Sequence, residues 1–193
     1  SSYSTVVTTL SADGEREHLH IEHELAGAAL VEQLHCNIEG GRLRTVELTR
    51  DVGSGADLSR TERALFDRGP IRMPAATYPE VTLPFVMRGQ PLDGKRRAAY
   101  SWTNDRFCAR IYYEMRKTVK LDVPAGRFDA ALVWMYPDLN DWIALGGVVT
   151  RLVKPLLPRY DIWFEQTTPH RVLRFEGPYG PPAAPEIILE LAG

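Results

Sequence analysis

Short stretches of alternating polar and apolar side chains, separated by turn residues, restrict most strongly how this chain can fold. Residues 30–38 place Leu, Glu, Leu, Cys and Ile at every second position. Glu39-Gly40-Gly41 follows, and residues 42–50 resume a strand-like composition. A period of two is typical of a β-strand with one buried face, and a glycine-containing turn between two such runs indicates a hairpin. The sequence therefore predicts antiparallel β structure.

The same pattern recurs along most of the chain. We expect strands at residues 3–10, 16–25, 30–38, 42–50, 95–102, 106–115, 117–123, 127–136, 160–166, 171–176 and 186–191. Residues 58–67 instead favour a short helix, because Ser59 and Glu62 have the spacing of a capping box. One main helix is expected at about 138–157, where apolar residues recur at helical spacing.

A chain with this many strands must protect its sheet edges, either by closing into a barrel or by stacking two sheets. Short turns between successive strands favour an up-and-down barrel or half-barrel. A length of 193 residues suits one substantial domain, whereas two domains would both be small. We therefore expect residues 1–193 to form a single, mainly β, barrel-like domain. A barrel of this size can enclose one small ligand.

Composition excludes several classes of protein. The formal net charge is -2, and a nucleic-acid-binding protein usually has a basic excess. No apolar run reaches the ~18 residues of a membrane span. Ser1-Ser2-Tyr3 shows no signal-peptide character, and the sequence leaves both the cytoplasm and the periplasm open. Cys36 and Cys108 lack metal-site spacing and are expected to be buried thiols. The oligomeric state is left open.

The C-terminal half resembles a family of uncharacterised bacterial proteins, mostly periplasmic, with a lipoprotein-carrier-like β half-barrel. The matching positions are Arg88, Pro91, Leu92, Gly94, residues 123–128, Trp163, Phe164, Arg171, Arg174, Glu190 and Leu191. The resemblance implies a curved antiparallel sheet around an apolar cavity, of lipocalin-like or lipoprotein-carrier-like form. It transfers no catalytic residue. The helix at about 138–157 and the histidine-rich strand at residues 16–25 depart from the family pattern.

Three of the five histidines lie in the segment EHLHIEHEL, residues 17–25. On a strand His18 and His20 share one face, whereas His23 points to the other face. One strand therefore cannot offer all three imidazoles to a metal ion, and no zinc signature is present, so we expect no metal. With His35 of the next strand, His18 and His20 are candidates for acid–base catalysis if their face lines a cavity. Ordinary histidines on a solvated face are the alternative.

Aromatic residues and arginines of the second half are candidates for ligand contacts, because rings with a few polar groups suit a pocket for an apolar or aromatic molecule. An inward Arg110 would bind an acidic group of such a ligand. Core packing and ion pairs within the sheet are the alternatives. The predicted ligand-binding residues are Tyr100, Trp102, Arg110, Tyr112, Trp134 and Tyr136.

These features predict a protein that takes an apolar, aromatic or terpenoid-sized small molecule into a β-barrel cavity. One hypothesis is a cofactor-independent lyase, isomerase or cyclase that uses the histidines. The other is a carrier or sensor that binds without chemistry. No phosphate loop, dinucleotide fingerprint or nucleophile elbow is present, so no cofactor is expected. Histidines that face a cavity would favour the enzyme, and outward histidines the carrier.

Overall fold

The structure is a computed structural model of the chain. It describes residues 3–11, 13–25, 28–39, 42–54, 57–66, 74, 76–79, 82–104, 107–138, 159–178 and 186–193. The main helix predicted at about 138–157 lies outside the described residues, apart from its first position, and it stays a prediction.

Strands dominate the described residues, which confirms the prediction of a mainly β fold. The single helix among them, α1 (Leu83–Met87), has five residues. None of the helices described here is long and apolar enough to cross a membrane. The strands are β1 (Tyr3–Leu10), β2 (Arg16–Leu25), β3 (Ala28–Glu39), β4 (Arg42–Ser54), β5 (Asp57–Leu65), β6 (Thr77–Pro79), β7 (Arg97–Asn104), β8 (Phe107–Val123), β9 (Gly126–Pro137), β10 (Tyr160–Glu165), β11 (Val172–Pro178) and β12 (Glu186–Glu190).

The strands form two sheets in which neighbours in space are neighbours in the chain. The first sheet has the order β1-β2-β3-β4-β5. The second has the order β12-β11-β10-β9-β8-β7-β6 and is curled into a half-barrel. This up-and-down order is the one that short connections favour. The predicted half-barrel form is therefore confirmed for the second sheet.

Contacts between Cα atoms divide the chain into two compact units. Unit 1 comprises residues 1–82 and 103–106, and unit 2 comprises residues 83–102 and 107–193. That residues 1–193 form one barrel-like domain stays a prediction.

Unit 1 has one buried and one more exposed sheet face. Leu19 of β2 lies opposite Leu34 of β3, and Leu34 lies opposite Leu48 of β4. All three side chains are fully buried. Because side chains alternate along a strand, the residues between them point to the other face. Alternation in the sequence thus corresponds to burial in the structure.

A buried ion pair interrupts the apolar face of unit 1. Glu32 of β3 is fully buried and lies opposite Arg50 of β4. The Arg50 Nε donates a hydrogen bond of 2.7 Å to the Glu32 Oε1. A core tolerates a buried carboxylate when a cationic side chain neutralises its charge and donates a hydrogen bond to it.

The short helix predicted at 58–67 is wrong, because residues 58–65 belong to β5. Strand β5 pairs antiparallel with β4 and places Ala64 opposite Leu48. Ala64 is buried, whereas its neighbour Arg63 is exposed. The capping-box pattern expresses a local preference. Pairing with a neighbouring strand and burial of alternate side chains outweigh such a preference.

Strand β8 is the longest strand of unit 2, with 17 residues, and it joins two strands that the sequence predicted as separate. Its pairing with β9 shifts between Met115 and Lys117: Met115 lies opposite Val133, and Lys117 lies opposite Leu132. Arg116 is therefore an extra residue, as in a β-bulge. A bulge bends a strand and increases its twist, which suits a curled sheet.

Strands β10 and β11 contribute fully buried side chains to the core of unit 2. Ile162, Phe164 and Leu173 are fully buried on β10 and β11. Gly177 of β11 allows a close approach of Tyr160, since a Cβ at Gly177 would lie 2.6 Å from the Tyr160 Cδ1. A side chain at this position would displace the ring.

Candidate functional site

A cluster of aromatic and charged side chains in unit 2 contains four of the predicted ligand-binding residues. We call it the Arg110 cluster. Neighbouring strands supply most of its side chains, because alternation brings every second residue to the same face of the sheet. Its members are Arg96, Tyr100 of β7, Arg110 and Tyr112 of β8, Tyr136 of β9, and Asp138 immediately after β9.

Arg110 is held by polar contacts from two sides. Its Nε and Nη2 donate to the Tyr100 hydroxyl oxygen at 3.2 and 3.0 Å. Its Nη1 lies 3.6 Å from the Asp138 Oδ2, and the Asp138 backbone N–H donates to the Arg110 carbonyl at 2.8 Å. The Arg110 side chain is nevertheless 40% exposed. The guanidinium is thus fixed in position and remains accessible to solvent.

Asp138 connects the arginine to the aromatic part of the cluster. The Tyr112 hydroxyl donates to the Asp138 Oδ2 at 2.9 Å, and the Asp138 side chain is almost completely buried. The buried Asp138 carboxylate thus has a hydroxyl donor and a guanidinium beside it. Its negative charge offsets that of Arg110.

Two tyrosine rings form the apolar part of the cluster. The centroids of Tyr112 and Tyr136 lie 6.1 Å apart with an interplanar angle of 48°. The guanidinium carbon of Arg96 lies 4.7 Å from the Tyr112 centroid, within the range of a cation–π contact. Tyr112 and Tyr136 are both half-buried.

The two predicted tryptophans occupy different environments. Trp102 is 2% exposed and belongs to the core of unit 2. Trp134 is half-buried, and its ring centroid lies 4.3 Å from the guanidinium carbon of Arg116 and 4.6 Å from that of Arg159. Contacts of either tryptophan with a ligand stay a prediction.

The candidate histidines share one face of the β2–β3 pair in unit 1. His18 and His35 lie directly opposite each other, and their rings stack with centroids 4.5 Å apart. His20 has its Nε2 2.9 Å from the Glu22 Oε1. His35 is exposed, and His18 and His20 are half-buried. This is the face opposite Leu19 and Leu34, and the acid–base role of the three histidines stays a prediction.

The environment of His18 favours its neutral form. Partial burial, followed by the nearby His35 and His20, lowers the pKa of His18 below its usual value. Its Nε2 is buried and has no hydrogen-bond partner within the described part of the chain. The lone pairs of two stacked imidazoles lie in nearly parallel ring planes, so this pair cannot chelate one ion without rotation. The described residues contain no group of three or more His, Cys, Asp or Glu able to hold a metal ion.

A small cavity lies near the core of unit 2. Its volume is about 10 Å³, and Met87, Tyr113, Met115, Val133 and Phe164 are among its lining residues. This volume corresponds to about one water molecule. It is much smaller than the space that a terpenoid-sized ligand needs.

Two members of the Arg110 cluster were not selected from the sequence. Asp138 follows Pro137, and its position before an apolar helical pattern favours the interpretation of a helix cap. Arg96 is one of several arginines in the second half, and its sequence neighbours do not distinguish it. A carboxylate placed directly after an aromatic strand is the signal that points to Asp138.

No protein-family model, curated protein or solved structure matches this chain. The curled sheet of unit 2 agrees with the half-barrel that the sequence resemblance implies. Membership of that bacterial family stays a prediction.

Proposed function

We propose that the protein is a carrier or sensor that binds a small molecule with an apolar or aromatic body at the Arg110 cluster. The observation that carries this proposal is the combination of half-exposed tyrosine rings with a guanidinium fixed by Tyr100 and Asp138. Rings provide contact area for an apolar body, and a few fixed polar groups orient it. Because Arg110 is already positioned, binding loses little side-chain entropy at this residue.

The placement of the histidines favours binding without chemistry. Proton transfer needs a histidine within hydrogen-bond reach of a bound molecule. His35 is exposed, and His18 and His20 lie on the face opposite the buried leucines of unit 1.

A second candidate function is cofactor-independent acid–base catalysis as a lyase, isomerase or cyclase. The lowered pKa of His18 supports it, because a neutral imidazole accepts a proton near neutral pH. Stacking on His35 would hold the base in one orientation. This function requires a ligand that reaches the histidine face.

The binding function is tested with the fluorescent probe anilinonaphthalene sulfonate, which joins an aromatic body to an acidic group. We expect saturable binding at one site, weakened at least about fivefold in a Tyr112→Ala, Tyr136→Ala double variant that removes both rings. Val7→Ala is the matched control, since Val7 is an apolar side chain of unit 1 that is 51% exposed. Equal loss in both variants would contradict the proposed site.

Carrier and enzyme are separated by the fate of the natural ligand. Native mass spectrometry of the purified protein identifies a co-purified molecule, which is then incubated with fresh protein. Recovery of the unchanged molecule supports the carrier. Conversion into a product, abolished in His18→Asn, supports the enzyme.

A further inference from the structure

We infer that the ligand of the Arg110 cluster carries one acidic group, and that Arg96 and the hydroxyl hydrogen of Tyr100 bind this group. The inference rests on the proposed binding function and adds to it the charge of the ligand. It assigns a specificity-determining role to Arg96, which is the more exposed of the two arginines in the cluster.

The hydroxyl group of Tyr100 has a hydrogen to donate. Its oxygen accepts two N–H groups of Arg110, at 3.2 and 3.0 Å. Both donors belong to one guanidinium and therefore approach the oxygen from one side, so the O–H bond must point away from Arg110. Among the residues that the structure describes, no acceptor receives this hydrogen. An oxygen atom of a ligand would satisfy it.

Arg96 provides the charge. Arg110 has the Asp138 carboxylate beside it, whereas Arg96 forms no ion pair with any described residue and contacts the face of Tyr112. The members of the cluster that the structure describes thus comprise two guanidinium groups and one carboxylate, which leaves one positive charge among them. An acidic group beside Arg96 would neutralise it through charge-assisted hydrogen bonds.

The charges of the cluster also determine which ligands should bind poorly. A cationic ligand would meet a net positive site, and a neutral ligand would leave the Arg96 charge and the Tyr100 hydrogen without a partner. A monoanion, such as a carboxylate on an aromatic or isoprenoid body, matches both groups. Its apolar part would lie against the rings of Tyr112 and Tyr136, next to Arg96.

The test compares two probes with the same aromatic body on the full-length protein. Anilinonaphthalene sulfonate carries the acidic group, and phenylnaphthylamine lacks it. We expect the sulfonate to bind roughly threefold to tenfold more tightly, which corresponds to one partly exposed charge-assisted contact. This difference in affinity should decrease in about 0.5 M salt, because the Debye length is then only a few ångströms and the charges are screened.

Variants of Arg96 and Tyr100 test whether these two residues cause the difference in affinity between the probes. Arg96→Met should remove most of the preference for the sulfonate over phenylnaphthylamine, whereas Arg96→Lys should retain part of the preference. Tyr100→Phe should reduce the same preference. Arg44→Met is the control, because it removes one exposed arginine of unit 1 and changes the net charge equally.

The outcomes separate this inference from the proposed function. Equal affinities for the two probes, unaffected by Arg96→Met, would overturn the inference and leave a binding site for neutral molecules. A preference lost equally in Arg44→Met would also overturn it, because net charge alone would then explain the preference. Failure of both probes to bind would overturn the proposed function itself.

Discussion

Replacing Arg50 by methionine should destabilise unit 1 by about 3–5 kcal/mol. The Glu32 carboxylate is fully buried, and the Arg50 side chain is 12% exposed with its Nε at 2.7 Å from the carboxylate. Opposite unit charges about 4 Å apart attract by about 4 kcal/mol at an effective dielectric constant of about 20. The substitution removes this attraction and one charged donor, while Glu32 stays in the same buried position.

A double-mutant cycle isolates the contribution of the pair. Glu32→Leu combined with Arg50→Met replaces two charges by apolar side chains of similar volume, which costs little in many buried pairs. We therefore expect the double variant to be more stable than Arg50→Met alone, with a coupling energy of about 2–4 kcal/mol. Each single variant leaves one charge in the apolar face, whereas the double variant leaves none.

The assay must distinguish the two units. The four tryptophans are at positions 102, 134, 142 and 163, all within unit 2. Tryptophan fluorescence in urea therefore reports unit 2, and amide hydrogen exchange in β3 and β4 reports unit 1. Arg44→Met is the control, since its exposed pair with Glu39 should contribute less than about 1 kcal/mol. If Arg50→Met were no more destabilising than Arg44→Met, or if the coupling were below about 0.5 kcal/mol, the reasoning would be refuted.

Three further predictions concern other sites. Gly177→Ala should lower the free energy of unfolding by about 1–3 kcal/mol, measured by urea denaturation, because the new Cβ would overlap the Tyr160 ring. Burial raises the pKa of the Cys36 thiol to about 12, so a thiol reagent at pH 8 should label Cys36 only as fast as the protein opens. The lowered pKa of His18 means that the folded state binds fewer protons than the unfolded state. Stability should therefore be full above pH 6.5, the ordinary value, and decrease as the pH falls below it, and His18→Gln should flatten this profile in thermal melts at pH 5 to 8.

Most strands could be predicted because a period of two is a strong local signal. The predicted strands at 3–10 and 16–25 coincide with β1 and β2, and β3 and β4 pair antiparallel up to Glu39 and Arg42, as the predicted hairpin requires. The helix prediction is wrong for residues 58–65 because their strand form depends on pairing with β4, whereas a capping-box pattern does not depend on any partner. Local patterns therefore identify strands reliably only where no competing local signal exists.

The site was partly predictable for a related reason. Tyr100, Arg110, Tyr112 and Tyr136 alternate correctly along their own strands, so each could be selected by itself. Asp138 joins them only because β8 and β9 pair in a particular register, which sequence spacing does not specify.

The histidines illustrate the limit of alternation. Strand parity places His18 and His20 on one face, but it does not tell which face is buried. Leucines at positions 19, 34 and 48 are packed together and decide this, leaving His35 exposed. Burial of a whole sheet face is a tertiary property and cannot be read from one strand.

The extra residue in β8 also determines which length changes this strand can tolerate. Removing one residue from a strand normally turns all later side chains to the opposite face. Removing Arg116 would leave the later side chains on their present faces. Met115 and Lys117 already lie opposite the consecutive residues Val133 and Leu132, so they would simply become neighbours in a regular strand. A chain without Arg116 would keep every later pairing and lose the bend and the Arg116 contact with Trp134. Natural variants of this sequence that differ in length by a single residue within β8 should therefore carry the gap here, with straighter sheets as the result.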